Sequence, residues 1–417
     1  MLQDTAGSED VTDRFDLIVA GGGMVGASLA RALAGCGMRV AVIEARPLDS
    51  ADQPSYDDRA IALAHGSRMI LQGLGVWPAL VDEVEPIRRI HVSERGGFGF
   101  TRLDHRSQEV EALGYVVTAR ALGRALLLGL DELPGVELLC PAELQSFEIT
   151  TRCVQVRVAV DGGMRTLQAG LLVAADGTNS LVRQQLGIEQ KVWDYAQTAV
   201  ISNLTPGTPP RGTAYERFTD SGPLAMLPLK GERCALVWTV RNDDVEQVMT
   251  LPEREFLQRV QERFGYRLGK FTRAGRRASY PLKLVRAREH VRPRVALIGN
   301  AAHAVHPVTG QGFNLGLRDV AVLADVLHDA RRQGGDLGAL ALLTAYADWR
   351  RQDQQTVALI TDGLVRLFTN PLLPLRLARN LGLLALDVLP PAKRLLTRGF
   401  MGSNGRLPRL SRGLSLG

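Results

Sequence analysis

Apolar positions follow two rhythms along this chain. Short uninterrupted apolar runs occur at 15–20 (FDLIVA), 39–44 (RVAVIE), 171–175 (LLVAA) and 295–298 (VALI). Such runs suit parallel strands covered on both faces. A glycine turn at 21–26 and small, helix-forming residues at 24–34 separate the first two runs, so this start predicts a βαβ unit. The pattern further predicts a helix over 60–74, a strand over 89–94, a helix over 121–130 and a strand over 136–139. A small antiparallel hairpin system is expected over 143–160 and 166–168. From about 190 to 285 the pattern alternates with period two, which predicts an antiparallel sheet with one helix at 253–264. Helical periodicity returns at 312–328. The tail from 338 onward reads as helical, interrupted at Pro371, Pro374 and Pro390-Pro391.

Composition adds bounds to this α/β pattern. The 417 residues are 45% hydrophobic and 23% charged, which suits a large globular domain with a smaller insert. The net charge is +6, but the basic residues are scattered and only five are lysines. The absence of a dense basic patch argues against nucleic acid as a partner. Cys36, Cys140, Cys153 and Cys234 show no C-x-x-C spacing and read as reduced thiols of a cytoplasmic protein. The polar, acidic first residues do not form a secretory signal. The longest stretch free of Asp, Glu, Lys and Arg, 295–317, contains Asn300, His303, His306, Pro307 and Gln311, which a bilayer core would penalise.

The chemistry begins at Gly21-x-Gly23-x-x-Gly26. A turn here lets backbone approach a pyrophosphate, and the helix that follows offers its N-terminal N–H groups and positive dipole end. Glu44 ends the second strand 18 residues beyond Gly26, placed for a ribose diol. This unit alone could hold NAD or FAD. Two later segments, LLVAADGTNSLVRQQLG and VALIGNAAHAVHPVTGQGFNLGLRD, repeat the scheme of buried strand, polar loop and helix. Three strand ends directed at one ligand imply a long dinucleotide. A helix starting at Gly310-Gln311-Gly312 could direct its dipole at the N1–C2=O edge of an isoalloxazine. His303 and His306 have H-x-x-H spacing without a third ligand, so packing of the flavin loop is expected there and no metal.

Together these segments resemble the three fingerprints of the FAD-dependent aromatic hydroxylases of the para-hydroxybenzoate hydroxylase group, over about 20–385. DDRAIALAHGSRMIL (57–71) and LIGNAAHAVHPVTGQGFNLGLRDV (297–320) are similar to the ubiquinone-biosynthesis hydroxylase family. Asn300, where that family usually has Asp, and the tail RNLGLLALDVLPPAKRLL resemble its 2-polyprenyl-6-methoxyphenol branch. The resemblance implies a Rossmann-like FAD-binding domain (1–80, 110–190 and 286–360), an antiparallel-sheet substrate domain (81–109 and 191–285) and a helical C-terminal segment (361–417). It implies Arg59 near the flavin, Arg120 at the pyrophosphate, Asp176 at cofactor and reductant, and Asn300 at ribitol or pyrophosphate. An amide oxygen at 300 accepts the same hydrogen bond as a carboxylate. The full expected contact set is Gly21, Gly23, Met24, Val25, Gly26, Glu44, Arg59, Arg120, Asp176, Gly177, Asn300, Pro307, Gly310, Gln311, Gly312 and Asn314. Blander roles compete: Arg59 as a surface ion pair, Arg120 as a helix-start charge, and Asp176 as a helix cap.

The implied activity is hydroxylation of a polyprenyl phenol in ubiquinone biosynthesis, with NAD(P)H and O₂, through a flavin C4a-hydroperoxide. Without a second GxGxxG, NAD(P)H is expected to bind transiently. No catalytic base is assigned; Tyr195, Tyr215, Tyr280 and His65 are candidates of equal standing. Alternatives are a polyprenyl reductase of the same fold and a non-enzymatic prenyl-lipid carrier; a halogenase would need W-x-W-x-I-P, which is absent. Between 364 and 402, Arg366, Arg376, Arg379, Lys393, Arg394 and Arg398 face a single acid, Asp387. This suggests a basic amphipathic segment on the inner face of the cytoplasmic membrane, or else a helical lid on the FAD domain. Other ubiquinone-biosynthesis proteins are expected as partners.

Overall fold

A computed structural model describes residues 13–47, 59–304, 310–369, 372–402 and 405–417. The apolar runs stack side by side in one sheet, ordered Val291–Arg292, Val295–Leu297, Gly163–Ala174, Asp13–Ala20, Val40–Ile43, Val136–Leu139. All but the first of these run parallel. Both faces are covered, as continuous apolar strands require. Leu17, Val19, Val40, Val42, Leu171 and Val173 join a core under α1 (Met24–Leu33). Their alternates Ile18, Ala20, Ala41, Ile43, Leu172 and Ala174 pack on the opposite face against the antiparallel strands Ala142–Ile149 and Val154–Val160.

The expected helix over 60–74 divides in two. Ala60–Ala64 is a strand, paired antiparallel with Gly114–Thr118, and only His65–Gly73 (α2) is helical. The AIALA run is small and apolar, so its local pattern suits either state; the cross-strand partner 50 residues away decides. The runs 166–168 and 171–175 likewise merge into one strand, Gly163–Ala174. Two more helices complete this half, α3 (Ala119–Leu127) and the short α4 (Leu181–Gln185).

The second sheet is ordered His303–Ala304, Ala278–Ala287, Gln190–Thr205, Arg233–Arg241, Gly222–Leu229, Thr213–Thr219, Arg89–Glu94, Phe100–Asp104. It is antiparallel except where Arg89–Glu94 enters beside Thr213–Thr219 in parallel, a pairing across the chain that period-two alternation cannot reveal. α5 (Val245–Thr250) and α6 (Glu253–Phe264) cover one face, burying Val200, Met226, Leu236 and Trp238 against Phe256, Val260 and Phe264. The other face packs on a small sheet of Ala60–Ala64, Gly114–Thr118 and Glu85–Ile87.

Four helices follow: α7 (Gln311–Arg332), α8 (Leu340–Thr369), α9 (Leu373–Val388) and α10 (Pro390–Met401). The tail is interrupted near these prolines as expected, and Pro374 and Pro390 stand in the first turns of the helices that follow, where proline costs no hydrogen bond; Pro371 lies outside the described residues. α9 packs on the edge strand Phe100–Asp104 of the second sheet rather than on the FAD-side sheet. Three of the tail's cations are engaged there: Arg379 with Glu94, Arg376 with the Gly96 carbonyl, and Lys393 with Asp387. Among the described residues no helix is long and apolar enough to cross a membrane.

Candidate active site

The glycine turn is shaped by steric exclusion. A Cβ on Gly26 would lie 1.9 Å from the Gly21 carbonyl oxygen, and one on Gly21, at φ +97°, 2.6 Å from the Ala175 oxygen. Only glycine lets strand, turn and helix close together here. Gly23 caps α1, and a Cβ built on it meets nothing within 4 Å, so the helix N-terminus opens onto space. Glu44 is buried behind the turn. Its Oε2 accepts the Gly22 N–H at 2.8 Å and its Oε1 the Arg46 N–H at 2.9 Å.

Two further loops meet this turn. Asp176 follows strand Gly163–Ala174, and its Oδ2 accepts the Val182 N–H at 3.3 Å, which is the capping role. Its other oxygen, Oδ1, is buried with no partner among the described residues. Burial raises the Asp176 carboxyl above its ordinary range, opposed by hydrogen bonds from Ser180 and the backbone. Arg183 binds this loop to the next: its guanidinium donates to the Thr178 carbonyl at 2.7 Å and to the Ala301 carbonyl at 2.9 Å. Asn300 stands exposed on that second loop, which Asp319 of α7 fixes by accepting the Gly299 N–H at 3.1 Å.

Asp319 is the centre of a buried charge network. His303 Nε2 lies 2.6 Å from Oδ2, while Arg350 Nε and Gln354 Nε2 reach Oδ1 at 2.7 and 3.0 Å. Burial alone would raise this carboxyl, but the adjacent His303 and Arg350 hold it well below the usual carboxylate range. His303 thus has a packing partner in the protein. His306 and Pro307 lie outside the described residues.

At the start of α7, Gly310 adopts the left-handed conformation (φ +61°), and a Cβ on Gly312 would meet only open space. Asn314 clamps this helix start: its amide donates to the Ala62 and Gly310 carbonyls at 2.8 and 2.6 Å, and its oxygen accepts from Ala64 N–H and Ser67 Oγ at 2.8 and 2.7 Å. The Gln311 side chain turns the other way, accepting from Arg318 Nη2 at 3.0 Å and donating to the Phe400 carbonyl at 3.3 Å.

These elements enclose one cavity of about 1530 Å³. Gly23, Met24, Val25, Arg59, Arg120, Gly177, Asn300, Gly310 and Gly312 line it. Gly21, Gly26, Glu44, Asp176, Gln311 and Asn314 are not among its lining residues; they lie at the three loops and shape them. The Arg59 guanidinium stands over the Tyr280 ring at 5.0 Å. Opposite the loops, the cavity is closed by the second sheet, through Ala199, Ile201, Ala235, Val237 and Tyr280. The sequence assigned 191–285 to the substrate and named Tyr280, but not the other residues of this wall, because alternation shows two faces without saying which meets the cofactor domain. Of the four candidate bases, Tyr280 lines the cavity. The Tyr195 hydroxyl donates to Asp362 at 3.2 Å, Tyr215 packs on Phe264, and His65 begins α2.

Residues 14–359 match the family described as FAD binding domain. The chain belongs to this family. It is 41% identical over 405 residues to the ubiquinone hydroxylase UbiL of Rhodospirillum rubrum, covering 96% of this chain and 93% of that one. It is 34% identical over 374 residues to the 3-demethoxyubiquinol 3-hydroxylase of Escherichia coli, covering 89% and 94%. The fold matches that of p-nitrophenol 4-monooxygenase from Pseudomonas putida with a TM-score of 0.77 at 21% identity, covering 95% of this chain and all of that one. The chain is a FAD-dependent hydroxylase of mixed α/β fold, in a family whose reductant is NAD(P)H. The site fits that cofactor on its own terms. Two helix N-termini open on a single cavity, a buried carboxylate oxygen awaits a donor such as a ribityl hydroxyl, and the volume exceeds the roughly 300–1,000 Å³ of one small-molecule site.

Proposed function

We propose that this protein hydroxylates the aromatic ring of a polyprenyl phenol, of the 2-polyprenyl-6-methoxyphenol type, in ubiquinone biosynthesis. The observation that carries the reading is the single cavity that joins the three cofactor loops to a mostly apolar sheet face. Bound flavin supplies the redox chemistry, accepting hydride from NAD(P)H and activating O₂. The chain's own residues bind and exclude. The N–H groups at Gly23 and Gly312, with Arg120, would hold the anionic and electron-rich parts of FAD; Asp176 and Asn300 would hold its polyol. Ile201, Ala235 and Val237 keep water from the ring and orient it.

The relatives' names, ubiquinone hydroxylase and 3-demethoxyubiquinol 3-hydroxylase, support a lipophilic quinone precursor. A substrate of that kind must arrive from a bilayer. Leu381 is 58% exposed on α9, and Val388 and Leu395 are 72% and 68% exposed around α10, near the exposed Arg394 and Arg398. We read this surface as the peripheral membrane contact. The full chain should float with anionic liposomes and L381S/V388S should not; equal flotation removes the contact from the reading.

The activity is tested with FAD-loaded protein, NAD(P)H and a short-chain 2-prenyl-6-methoxyphenol under ¹⁸O₂. The expected product carries one ¹⁸O on the ring. Reduction of the substrate without oxygen uptake would establish a reductase instead.

A further inference from the structure

Glu216 lies mid-way along the strand Thr213–Thr219, and its neighbours show where it points. Tyr215 packs edge-on to Phe264 of α6 at 5.5 Å, and Arg217 Nε donates to the Arg263 carbonyl at 3.0 Å. Both therefore lie on the α6 side. Strand alternation turns Ala214, Glu216 and Phe218 to the opposite face, the one that closes the flavin cavity. Their contacts agree: Ala214 clusters with Ile87, Val116 and Ala235, and Phe218 with Leu383 of α9.

The register gives the distance. Glu216 stands opposite Ala225, Ala225 opposite Val237, and Val237 opposite Ile201. Val237 and Ile201 line the flavin cavity. Two strand spacings of about 4.8 Å place Glu216 roughly 10 Å from Val237, across Ala225 and outside the residues that line the cavity. That is about the span of a substituted aromatic ring.

One carboxyl oxygen is unsatisfied. Oε1 is buried with no partner among the described residues, and burial alone pushes the group up to about 8, so it is largely a neutral acid at pH 7. A buried polar group without a partner costs stability. On the same face the fold matches Glu94 with Arg379 and Asn380, yet it supplies no such match to the Glu216 oxygen.

We propose that Glu216 hydrogen-bonds the ring oxygen of the substrate and so fixes which ring carbon faces the flavin. This positioning role rests on the reading of the chain as a phenol hydroxylase. A neutral carboxylic acid both donates and accepts, so it can engage a phenol hydroxyl and an adjacent ether oxygen together.

The test compares FAD-loaded wild type with E216L and E216A. A short-chain prenyl methoxyphenol is titrated by its perturbation of the flavin absorbance, and product is counted against NAD(P)H consumed. Both variants should retain flavin and melt no lower than wild type, because an unsatisfied buried acid has been removed. Their Kd for the phenol should rise about tenfold, the worth of one hydrogen bond, with NAD(P)H diverted to hydrogen peroxide. A purely structural Glu216 predicts the reverse, a lower melting temperature with Kd and product yield unchanged, and that result overturns the assignment. A wild type that shows neither spectral response nor product overturns the phenol reading itself, and this assignment with it. A wild-type response that E216A shares in full overturns the assignment alone.

Discussion

Asp319, buried between α7 and α8, and Glu216, half-buried on the cavity face of the second sheet with one buried oxygen, are acids in opposite surroundings. Asp319 receives His303, Arg350, Gln354 and the Gly299 N–H, and its carboxyl is held low. Glu216 has an oxygen without a partner and is pushed high. A carboxylate satisfied at both oxygens gives rigidity, and here it fixes the loop that carries Asn300. An acid left unsatisfied beside a ligand cavity awaits its partner from outside the chain. The difference separates what builds this site from what the site is for.

The largest effect should come from breaking the satisfied partner. D319A leaves His303 without its partner and Arg350 with Asp353 as its remaining counter-charge, and should cost about 3–5 kcal/mol, read from urea unfolding. A loss under about 1 kcal/mol would make the network dispensable and void the contrast. Next comes Asp176, whose Oδ1 is buried with no partner among the described residues. D176A should weaken FAD by about 10–100-fold in titrations of the apoprotein, the value of one hydrogen bond to a charged group. Its stability to urea should fall by no more than about 1 kcal/mol, the worth of the cap to Val182.

The smallest effect is one of sign. The folded Glu216 titrates near 8, above its ordinary 4.5, so the fold disfavours its ionised form. Its contribution to stability is intact below about 4.5 and is lost as pH rises toward 8. The advantage of E216Q over wild type should therefore grow across that window, by at least about 1 kcal/mol. Asp319 behaves oppositely: its folded carboxyl is held down, so its contribution is lost as pH falls below the ordinary carboxylate range. Thermal melts from pH 5 to 8 on E216Q and wild type check this, and parallel curves would show that Glu216 is already paired.

Much of the frame was legible in advance. The helix expected at 253–264 is α6, residue for residue, because its amphipathic period is strong and Gly265 stops it. The apolar runs at 15–20, 39–44 and 171–175 are parallel strands, since only burial on both faces suits such sequences. The run 60–74 failed because Ala60–Ala64 takes its hydrogen bonds from Gly114–Thr118, which local pattern does not contain. Gln311 was expected at the flavin, but its side chain turns toward Arg318 and Phe400, since a helix N-terminus binds through backbone N–H groups and leaves side chains to pack elsewhere.

By itself the sequence determined the backbone chemistry of this protein. Glycines at 21 and 26 let strand, turn and helix close together, and apolar strands deliver Glu44, Asp176 and Asn300 to their loops, because conformation and burial are written in neighbouring residues. Only the tertiary structure decided which face of each strand in the second sheet meets the cofactor. Glu216 reads as one more polar position in an alternating run until Tyr215 and Arg217 are seen against α6. Alternation fixes that two faces exist. Register and long-range closure, which no short stretch encodes, fix which one looks inward.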